Sequence, residues 1–306
     1  MDSVSVQAPA TVSNVVCGFD CLGFALSEPF DEITVRKTDE TGITIIHKDG
    51  YGLPTDPHRN VAGVALRAML DALNADFGFS AEITKNIKPG SGIGSSSASS
   101  CGAVVAANRL IGDKFSKLEL ADFAMEGEKL ASGARHADNV APSIFGGFTL
   151  VRSIDPLDIV SIDFPPLFAA VIHPQIEIKT ADARAILPKD VPLASAIKQW
   201  SNLGSLVAGL SKGEIPLIAR SMEDSIVEPV RKSLIPKFDE VKAASMDAGA
   251  IGGGISGSGP SIFMLSDSME TAERVAGAMQ DVFLQTDIEF NIYVSAIASD
   301  GVRIAE

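Results

Sequence analysis

The sequence predicts a two-domain protein of the α+β or α/β class, in which helices pack on sheets. Strand-like and helix-like segments alternate through both halves of the chain, and this order favours layers of helices on sheets. The 306 residues exceed a typical domain length of roughly 150 residues. Hydrophobic residues make up 46% of the chain and charged residues 21%. This is enough apolar surface for buried cores, which excludes an intrinsically disordered protein.

The first half combines short strands with longer helices. Residues 43–47 and 81–87 are strand-like runs. Between them, residues 60–74 carry small or apolar side chains at three- and four-residue spacing, which is typical of the buried face of a helix. Residues 118–131 show a small apolar stripe and form a further predicted helix.

The second half has the same mixed character. Helices are predicted at residues 193–210, 238–248 and 269–284, and strands at 159–164, 168–172, 250–255, 261–265 and 289–294. Residues 154–166 are the stretch densest in proline and aspartate between periodic segments, a composition typical of a domain boundary. We therefore expect an N-terminal domain of residues 1–155 and a C-terminal domain of residues 156–306.

Charge and cysteine content disfavour several functions. The chain has a net charge of −14, whereas a general nucleic-acid or anionic-membrane binder needs a basic face. Three cysteines without a Cys-x-x-Cys pair are not a disulfide framework, and Cys17 and Cys21 lack the further ligands of a metal site. No secretory leader opens the chain, and no apolar run reaches the roughly 18 residues of a membrane span. We expect a soluble cytoplasmic protein that binds neither nucleic acid nor membranes.

A glycine- and serine-rich loop followed by a predicted helix, residues 88–108, is the most informative segment. Gly90, Gly92 and Gly94 allow backbone conformations that a Cβ forbids, and Ser95 to Ser97 are residues suited to cap or begin a helix. The free N–H groups and the positive dipole end of a helix N-terminus bind anions such as phosphate. The pattern therefore predicts a nucleotide phosphate site.

A flexible linker would have a similar glycine and serine content. However, a linker would not continue directly into the small and apolar residues 98–107, which predict a buried and tightly packed helix. The loop also lacks the Gly-Lys-Ser/Thr of a Walker A motif and does not match the GxGxxG that follows a first Rossmann strand. These two large nucleotide-binding classes are therefore disfavoured.

Three ordered segments resemble the motifs of the GHMP kinase superfamily. Residues 89–100 (PGSGIGSSSASS) are similar to its phosphate-binding pattern PxxxGLGSSAA, with Ile93 in place of the leucine. Residues 8–26 (APATVSNVVCGFDCLGFAL) resemble the first motif and residues 254–263 (GISGSGPSIF) the third. The first motif, together with residues 135–147 (RHADNVAPSIFGG), is similar to the homoserine kinase branch, and the resemblance runs over nearly the whole chain.

The resemblance implies a fold, a reaction and a co-substrate. The implied fold is the α+β GHMP kinase fold, with an N-terminal domain like domain 2 of ribosomal protein S5 and a C-terminal ferredoxin-like domain. The implied reaction transfers the γ-phosphoryl group of ATP to the side-chain hydroxyl of L-homoserine, requires Mg²⁺ and feeds threonine biosynthesis, and the sequence leaves a homodimer open. The implied ATP-binding residues are Asn60, Pro89, Gly90, Ser91, Gly92, Ile93, Gly94, Ser95, Ser96 and Ser97. A helix N-cap role would explain Asn60 equally well.

The implied magnesium ligands are Ser96 and Glu128, which are oxygen ligands of the kind that this hard cation prefers. Glu128 lies beside the apolar stripe of its predicted helix, so its charge needs a partner, whereas Glu126 projects elsewhere. A structural ion pair of Glu128 with Arg135 or Lys129 is the alternative.

Homoserine carries an ammonium group, a carboxylate and a hydroxyl, so its site needs complementary groups. In the resemblance, Asp20, with Asn14 nearby, matches the residue that binds the amino group, and Arg184 and Arg231 match the carboxylate-binding arginines. The planar guanidinium fork suits that role. An Asx turn at Asp20 and a solvated surface position for either arginine are the alternatives. His136 is a further implied substrate-binding residue.

The acceptor hydroxyl has its own group of implied residues. Asn139 stands where related kinases of the superfamily carry an aspartate, which implies that no side chain acts as a base there, and it is also an implied substrate contact. Asp138 is the neighbouring candidate for a general base, with helix capping as the alternative. Thr180 resembles a residue near the acceptor hydroxyl. The implied catalytic residues are therefore Ser96, Glu128, Asn139 and Thr180.

Two other functions compete with this interpretation. A mevalonate or sugar kinase of the same superfamily would share the phosphate-binding loop, although a mevalonate-type enzyme is expected to carry an aspartate in place of Asn139. A catalytically inactive member that acts as a ligand sensor would have no need of Ser96 and Glu128. The glycine-rich third motif is expected to support the cleft by close packing rather than to take part in the chemistry.

Overall fold

The computed structural model describes residues 2–305, apart from the side chains of Thr180 and Ala181. Within these residues the chain forms two β-sheets with helices packed on them. The first sheet has seven strands: β1 (Ser3–Val15), β2 (Gly18–Thr38), β3 (Gly42–His47), β4 (Gly78–Thr84), β5 (Phe148–Ile154), β6 (Leu157–Ile162) and β11 (Arg303–Ile304). Its main strand order is β11, β1, β2, β4, β3, and the β5–β6 hairpin joins it through β2.

The first sheet is built on the long antiparallel hairpin of β1 and β2, which turns at Val16 and Cys17. This hairpin carries the first motif. The sequence analysis did not predict these two strands, and the burial of β1 explains why. Residues 8–13 are all buried, so the alternation of polar and apolar side chains that marks a strand is lost there.

Helices of the first half pack against this sheet. They are α1 (Val61–Leu73), α2 (Ser95–Leu110), α3 (Lys117–Ser132) and α4 (Val140–Phe145). The helix predicted at residues 60–74 is confirmed, with Asn60 as its N-cap and Asn74 as its C-cap. The buried helix predicted after the glycine loop is confirmed as α2. A Cβ on Gly102 would lie only 2.6 Å from Cδ1 of Ile33, so small residues are what allow α2 to approach β2.

The second sheet contains β7 (Phe168–Pro174), β8 (Gly252–Ile255), β9 (Ile262–Ser266) and β10 (Phe290–Ala296). Its order is β10, β7, β9, β8, and all neighbours are antiparallel. The helices of this half are α5 (Thr180–Ala185), α6 (Leu193–Lys212), α7 (Ile215–Ser221), α8 (Glu228–Arg231), α9 (Phe238–Asp247) and α10 (Met269–Phe283). This strand order and connectivity are those of a ferredoxin-like domain, as the resemblance implied.

The division expected at residues 155 and 156 lies inside the turn between β5 and β6, and both strands belong to the first sheet. The change of sheet comes later, between Ile162 and Phe168. Proline and aspartate mark both the hairpin turn at 155–156 and the linker at 163–166. Composition alone therefore does not show which of the two separates the sheets.

After β10 the chain returns to the first sheet. A backbone bridge joins Leu26 and Ile297, the N–H of Val302 donates to the carbonyl of Ser143 at 2.7 Å, and β11 pairs with the edge of β1. The first sheet is thus completed by residues from the far end of the sequence. In the described part of the chain, no helix combines the length and the apolar character needed to cross a membrane.

Candidate active site

A cleft of about 380 Å³ is lined by residues of both halves of the chain. Its walls come from the β1–β2 hairpin, the glycine loop, the end of α3, α5, Arg231 and the loop after β8. The predicted site residues that line it are Asn14, Asp20, Pro89, Gly90, Gly92, Gly94, Ser95, Ser96, Glu128, His136, Asn139, Arg184 and Arg231. The fold therefore assembles residues that are far apart in sequence around one cavity.

The phosphate loop, residues 88–94, leads into the N-terminus of α2. Gly90, Gly92 and Gly94 have left-handed φ angles of 77°, 81° and 71°, which glycine adopts without a steric penalty. The N-cap of α2 is Gly94, which has no side chain to accept a hydrogen bond from the first turn. Of the two roles expected for Ser95 to Ser97, they take the first turn of α2, while the cap position is held by Gly94. The first-turn N–H groups are left available for an anion.

The third motif packs on the phosphate loop. The Ser256 hydroxyl donates to the carbonyl of Gly92 at 2.7 Å, and the Ser261 hydroxyl donates to the carbonyl of Ser91 at 2.6 Å. A Cβ on Gly92 would lie 2.6 Å from the carbonyl oxygen of Gly259. These contacts hold the loop against the second half of the chain, and they agree with a supporting role for this motif.

Glu128 on α3 is a buried carboxylate beside the first turn of α2. Its side chain lines the cleft, yet its Oε1 is buried and has no hydrogen-bond partner among the described residues. Burial raises the pKa of Glu128 to about 7, and the nearby hydroxyls of Ser96 and Ser97 partly counteract this rise. Arg135 pairs with Asp122 and Glu126 instead. The structural ion pair of Glu128 with Arg135 is therefore not formed.

The residues considered for the acceptor hydroxyl lie close to β1. Asn139 accepts a hydrogen bond from the Thr11 hydroxyl at 2.8 Å and donates from Nδ2 to the Ser13 hydroxyl at 2.9 Å. Asp138 is buried and lines the cleft, and α4 has no side-chain N-cap bond, so the capping role does not apply. Burial raises the pKa of Asp138, and the nearby Asp20 adds to the rise.

One end of the cleft is rich in charge. Asp20 and Arg184 form a bidentate ion pair with N–O distances of 2.9 and 3.1 Å, so an Asx turn does not occupy the Asp20 carboxylate. Nε2 of His136 lies 3.5 Å from Nη2 of Arg184. Arg231 is buried, and its guanidinium carbon lies 4.8 Å from the centroid of the Phe19 ring.

Two of the predicted substrate residues also hold backbone in place. Asn14 donates from Nδ2 to the carbonyl of Gly257 at 2.8 Å and accepts from the N–H of Asp20 at 2.7 Å. Arg231 donates from Nε to the carbonyl of Ala183 at 2.9 Å and from Nη1 to that of Gly257 at 3.2 Å. These contacts tie the β1–β2 turn, α5 and the third motif together around the cleft.

Some predicted residues do not line the cleft. Asn60 accepts from the N–H groups of Ala62 and Gly63 as the N-cap of α1. Its Nδ2 donates to the carbonyl of Pro54 at 2.8 Å and lies 3.0 Å from Nε2 of His47. Ser91, Ile93 and Ser97 are buried within the loop and the first turn of α2. Thr180 is the first residue of α5, but its side chain lies outside the described residues.

The sequence analysis missed a buried charge beneath the phosphate loop. The ammonium group of Lys85 donates to the carboxylate of Asp31, to the carbonyl of Ser95 at 2.6 Å and to the hydroxyl of Ser99 at 2.9 Å. Its three N–H bonds are thereby used within the protein, and two of them hold the start of α2 in place. A single lysine that directly follows a buried strand and precedes a glycine-rich loop is the signal that was available.

Comparison with known proteins agrees with this geometry. The family model for the N-terminal domain of GHMP kinases matches residues 60–147, and the model for their C-terminal domain matches residues 206–285. The chain is 48% identical to a homoserine kinase of Chloroherpeton thalassium, over 99% of this chain and 100% of that protein. The crystal structure of a homoserine kinase from Cytophaga hutchinsonii superposes with a TM-score of 0.96 at 49% identity, covering 100% and 98% of the two chains.

A more distant likeness shows the fold alone. The crystal structure of the L. major mevalonate kinase, solved in complex with R-mevalonate, superposes with a TM-score of 0.73 at 16% identity over 94% of each chain. The chain belongs to the GHMP kinases, which the phosphate loop, the two matched domains and the fold together define. Within that superfamily it belongs to the homoserine kinase family.

Proposed function

We propose that this protein transfers the γ-phosphoryl group of ATP to the side-chain hydroxyl of L-homoserine, yielding ADP and O-phosphohomoserine for threonine biosynthesis. One observation carries the proposal. A single cleft has the uncapped N-terminus of α2 at one place and the carboxylate of Asp20 with two guanidinium groups at another. The first suits a triphosphate, and the second suits an amino acid with both an ammonium group and a carboxylate.

The triphosphate binds along the phosphate loop and the first turn of α2. Gly94 leaves the N–H groups of that turn without a side-chain acceptor, and such groups bind phosphate oxygens with the help of the helix dipole. The contacts of Ser256 and Ser261 with the loop carbonyls support a fixed loop shape. A loop that is ordered in advance loses little entropy when nucleotide binds.

Glu128 and Ser96 are the proposed protein ligands of Mg²⁺. The buried Oε1 of Glu128 has no partner among the described residues and lies close to hydroxyl groups, which fits a hard cation. The described residues contain no group of three or more His, Cys, Asp or Glu side chains suited to a metal. Phosphate oxygens and water are expected to complete the coordination, as is usual for Mg²⁺ at a nucleotide site. When bound, the ion would neutralise charge that develops on the phosphate oxygens.

The acceptor is held by its two charges. Asp20 binds its ammonium group, and Arg184 and Arg231 bind its carboxylate, with Asn14 and His136 at the edge of the same subsite. This orientation directs the side-chain hydroxyl toward Asn139. Thr180 is proposed as a second residue near that hydroxyl. Holding the two reactants in line is the main contribution that a kinase makes to phosphoryl transfer.

No side chain is proposed to take the proton of the hydroxyl. The amide of Asn139 is not a base, and it is already bonded to Thr11 and Ser13. In a loose transition state the attacking hydroxyl needs little activation. Its proton therefore passes to an oxygen of the transferred phosphoryl group.

The test is ADP formation with homoserine, mevalonate, galactose and shikimate as acceptors. Homoserine is expected to support turnover far above the other three compounds. Preference for mevalonate would establish the rival kinase activity, against which Asn139 argues. Absence of turnover with every acceptor would favour a ligand sensor, against which the presence of both Ser96 and Glu128 argues.

We assign the reaction to the cytoplasm, because it consumes ATP and because Cys17, Cys21 and Cys101 are free thiols.

We expect a homodimer, if it forms, to be joined through the exposed apolar side chains along α6. They are Leu193, Ile197 and Trp200. Sedimentation velocity of the protein and of its Trp200→Glu variant tests this assembly, since a dimer formed there would dissociate in the variant.

A further inference from the structure

Two groups at the acceptor end of the cleft bind each other. Arg184 donates from Nη2 to Oδ1 of Asp20 at 2.9 Å and from Nη1 to Oδ2 at 3.1 Å. The Arg184 side chain is 44% exposed and that of Asp20 is 36% exposed, so the pair faces the cleft rather than a core. The residues assigned above to opposite charges of the acceptor therefore satisfy one another when no acceptor is bound.

The backbone on both sides of this pair is held in place. The N–H of Asp20, whose φ is 58°, donates to Oδ1 of Asn14 at 2.7 Å. The α5 helix that carries Arg184 is tied to the buried Arg231 through the carbonyl of Ala183 at 2.9 Å. Opening the pair therefore requires only side-chain rotation, chiefly of the long arginine.

A released Arg184 would remain close to Arg231. The guanidinium carbons of Arg184 and Arg231 lie 5.7 and 4.8 Å from the centroid of the same Phe19 ring. An aromatic face attracts such cations. Two guanidinium groups thus lie over one aromatic ring, next to the carboxylate of Asp20.

We propose that the Asp20–Arg184 pair stands in for the two charges of the acceptor and is exchanged for them on binding. A zwitterion replaces one ion pair by two, because its ammonium group binds Asp20 and its carboxylate binds Arg184. A molecule with a single charge also breaks the pair but compensates only one partner. The affinity difference between a zwitterion and a molecule with a single charge is therefore larger than the loss of one ion pair with the ligand would produce. This inference rests on the proposed function.

The exchange makes a prediction that simple loss of contacts does not make. Arg184→Gln leaves Asp20 unpaired, so 2-amino-1,4-butanediol, which has only the ammonium group, should bind this variant more tightly than the wild type. Asp20→Asn leaves Arg184 unpaired, so 4-hydroxybutyrate, which has only the carboxylate, should bind that variant more tightly. Each gain is expected to be about 1.5- to 5-fold, as suits a half-exposed ion pair. Both variants should bind homoserine more weakly than the wild type.

Isothermal titration calorimetry of the full chain with the three compounds measures these affinities. Arg152→Gln is the matched control, because it breaks an exposed ion pair with Asp158 that does not line the cleft. It should leave all three affinities at the wild-type value. Gains in both variants support the exchange, and the absence of the gain in either variant overturns it.

The proposed function is tested separately with the same wild-type sample. In one outcome, the wild type forms ADP with homoserine while 2-amino-1,4-butanediol binds Arg184→Gln, or 4-hydroxybutyrate binds Asp20→Asn, no more tightly than the wild type. That result overturns only the exchange. If the wild type neither binds homoserine nor forms ADP with it, the proposed function is overturned and the exchange with it.

Discussion

Glu128 is 7% exposed, and its Oε1 has no hydrogen-bond partner among the described residues. A charge in such a position is costly unless something neutralises it. The neighbouring Glu126 lies on the same helix but pairs with Arg135 at 3.2 Å, and its side chain is 35% exposed. The two glutamates therefore form a natural pair of test and control.

Glu128→Gln should lower kcat by roughly 100- to 1,000-fold, the scale for removing one preorganised electrostatic contact to the transition state. The change conserves size and removes the charge that Mg²⁺ needs. Glu126→Gln should keep activity close to the wild-type rate. Steady-state kinetics over a range of Mg²⁺ concentrations check the assignment, and it is wrong if the two variants behave alike.

The raised pKa of Glu128 also predicts how stability depends on pH. The pKa of this group is about 7 in the folded protein and ordinarily 4.5, so between these values the folded state binds more protons than the unfolded state. Stability contributed by the protonated group is complete below the ordinary pKa and is lost as pH rises through the folded pKa. Above it, the ionised Glu128 costs on the order of 3 kcal/mol.

Glu128→Gln removes this cost, since glutamine has no charge to bury. In the absence of nucleotide and metal, the variant should gain stability relative to the wild type as the pH rises from about 5 to about 8. Urea unfolding at both pH values measures the difference. A difference that does not change with pH would contradict the raised pKa.

Asp138 tests whether the reaction needs a side-chain base. Because the acid is buried and lines the cleft, it is the group best placed to act as one. If no base is used, Asp138→Asn should lose less than the roughly 100-fold that deletion of a general base costs. Rates, homoserine affinity and melting temperature should be measured together. A much larger loss of rate alone would place Asp138 among the catalytic residues.

At the scale of single elements, the N-terminus of α2 depends on Gly94. A Cβ there would lie 2.0 Å from Oγ1 of Thr11, whereas a Cβ on Gly90 would meet no heavy atom within 4 Å. Both residues have left-handed φ angles. Alanine at either position costs about 1 to 2 kcal/mol for the backbone conformation, and only Gly94→Ala adds a steric overlap.

We expect Gly94→Ala to be destabilised by at least about 1 kcal/mol more than Gly90→Ala, on the scale of overpacking. It should also raise KM for ATP, because displacing Thr11 disturbs Asn139 and the first turn of α2. Urea unfolding and ATP titrations of the two variants decide this. Equal effects of the two substitutions would show that the left-handed backbone conformation, and not steric overlap with Thr11, sets the cost of alanine at these positions.

Local signals explain which elements were predictable from sequence. The apolar stripe of α1, its capping Asn60 and the run of small residues in α2 are readable over one short window. The glycine loop and the three motifs likewise identify the cleft. The helices and the glycine loop depend on backbone preferences and periodicity, which act over a few residues, whereas the three motifs were identified by their resemblance to a family.

Features that depend on distant partners were not predictable. Asp31 and Lys85 form a buried ion pair across 54 positions, and neither has a local pattern that requires the other. Asn60 matched a family position, and in the structure its Oδ1 caps α1 while its Nδ2 donates to the carbonyl of Pro54. The same limit applies to β5 and β6, because only pairing with β2 shows that they belong to the first sheet.

At the scale of the whole molecule, residues 297–305 join the two sheets. Ile297 donates to the carbonyl of Leu167, Ala298 to that of Ala25 at 2.9 Å, and Ala305 to that of Ser5 at 2.8 Å. β11 lies against the edge of β1. The first sheet, which carries the phosphate loop, therefore depends on residues that follow the second sheet.

Removal of residues 297–306 should weaken the first sheet more than the second. Amide hydrogen exchange should rise in β1 and β2, which lose backbone partners, while β10 and β7 serve as internal controls. Exchange measured by mass spectrometry after proteolysis checks the difference. Equal increases in all four strands would show instead that the molecule unfolds as one unit.

The position of β11 also bears on synthesis of the chain. β2 can pair with β1 soon after translation starts, but at Val6 and Gln7 the other edge of β1 receives its partner only about 300 residues later. At about 5 to 20 residues per second this is a delay on the order of 15 to 60 s. An open strand edge is a template for pairing with other chains. On the ribosome this edge, with Ser5 exposed and Gln7 half-buried in the finished fold, is where neighbouring nascent chains would first aggregate.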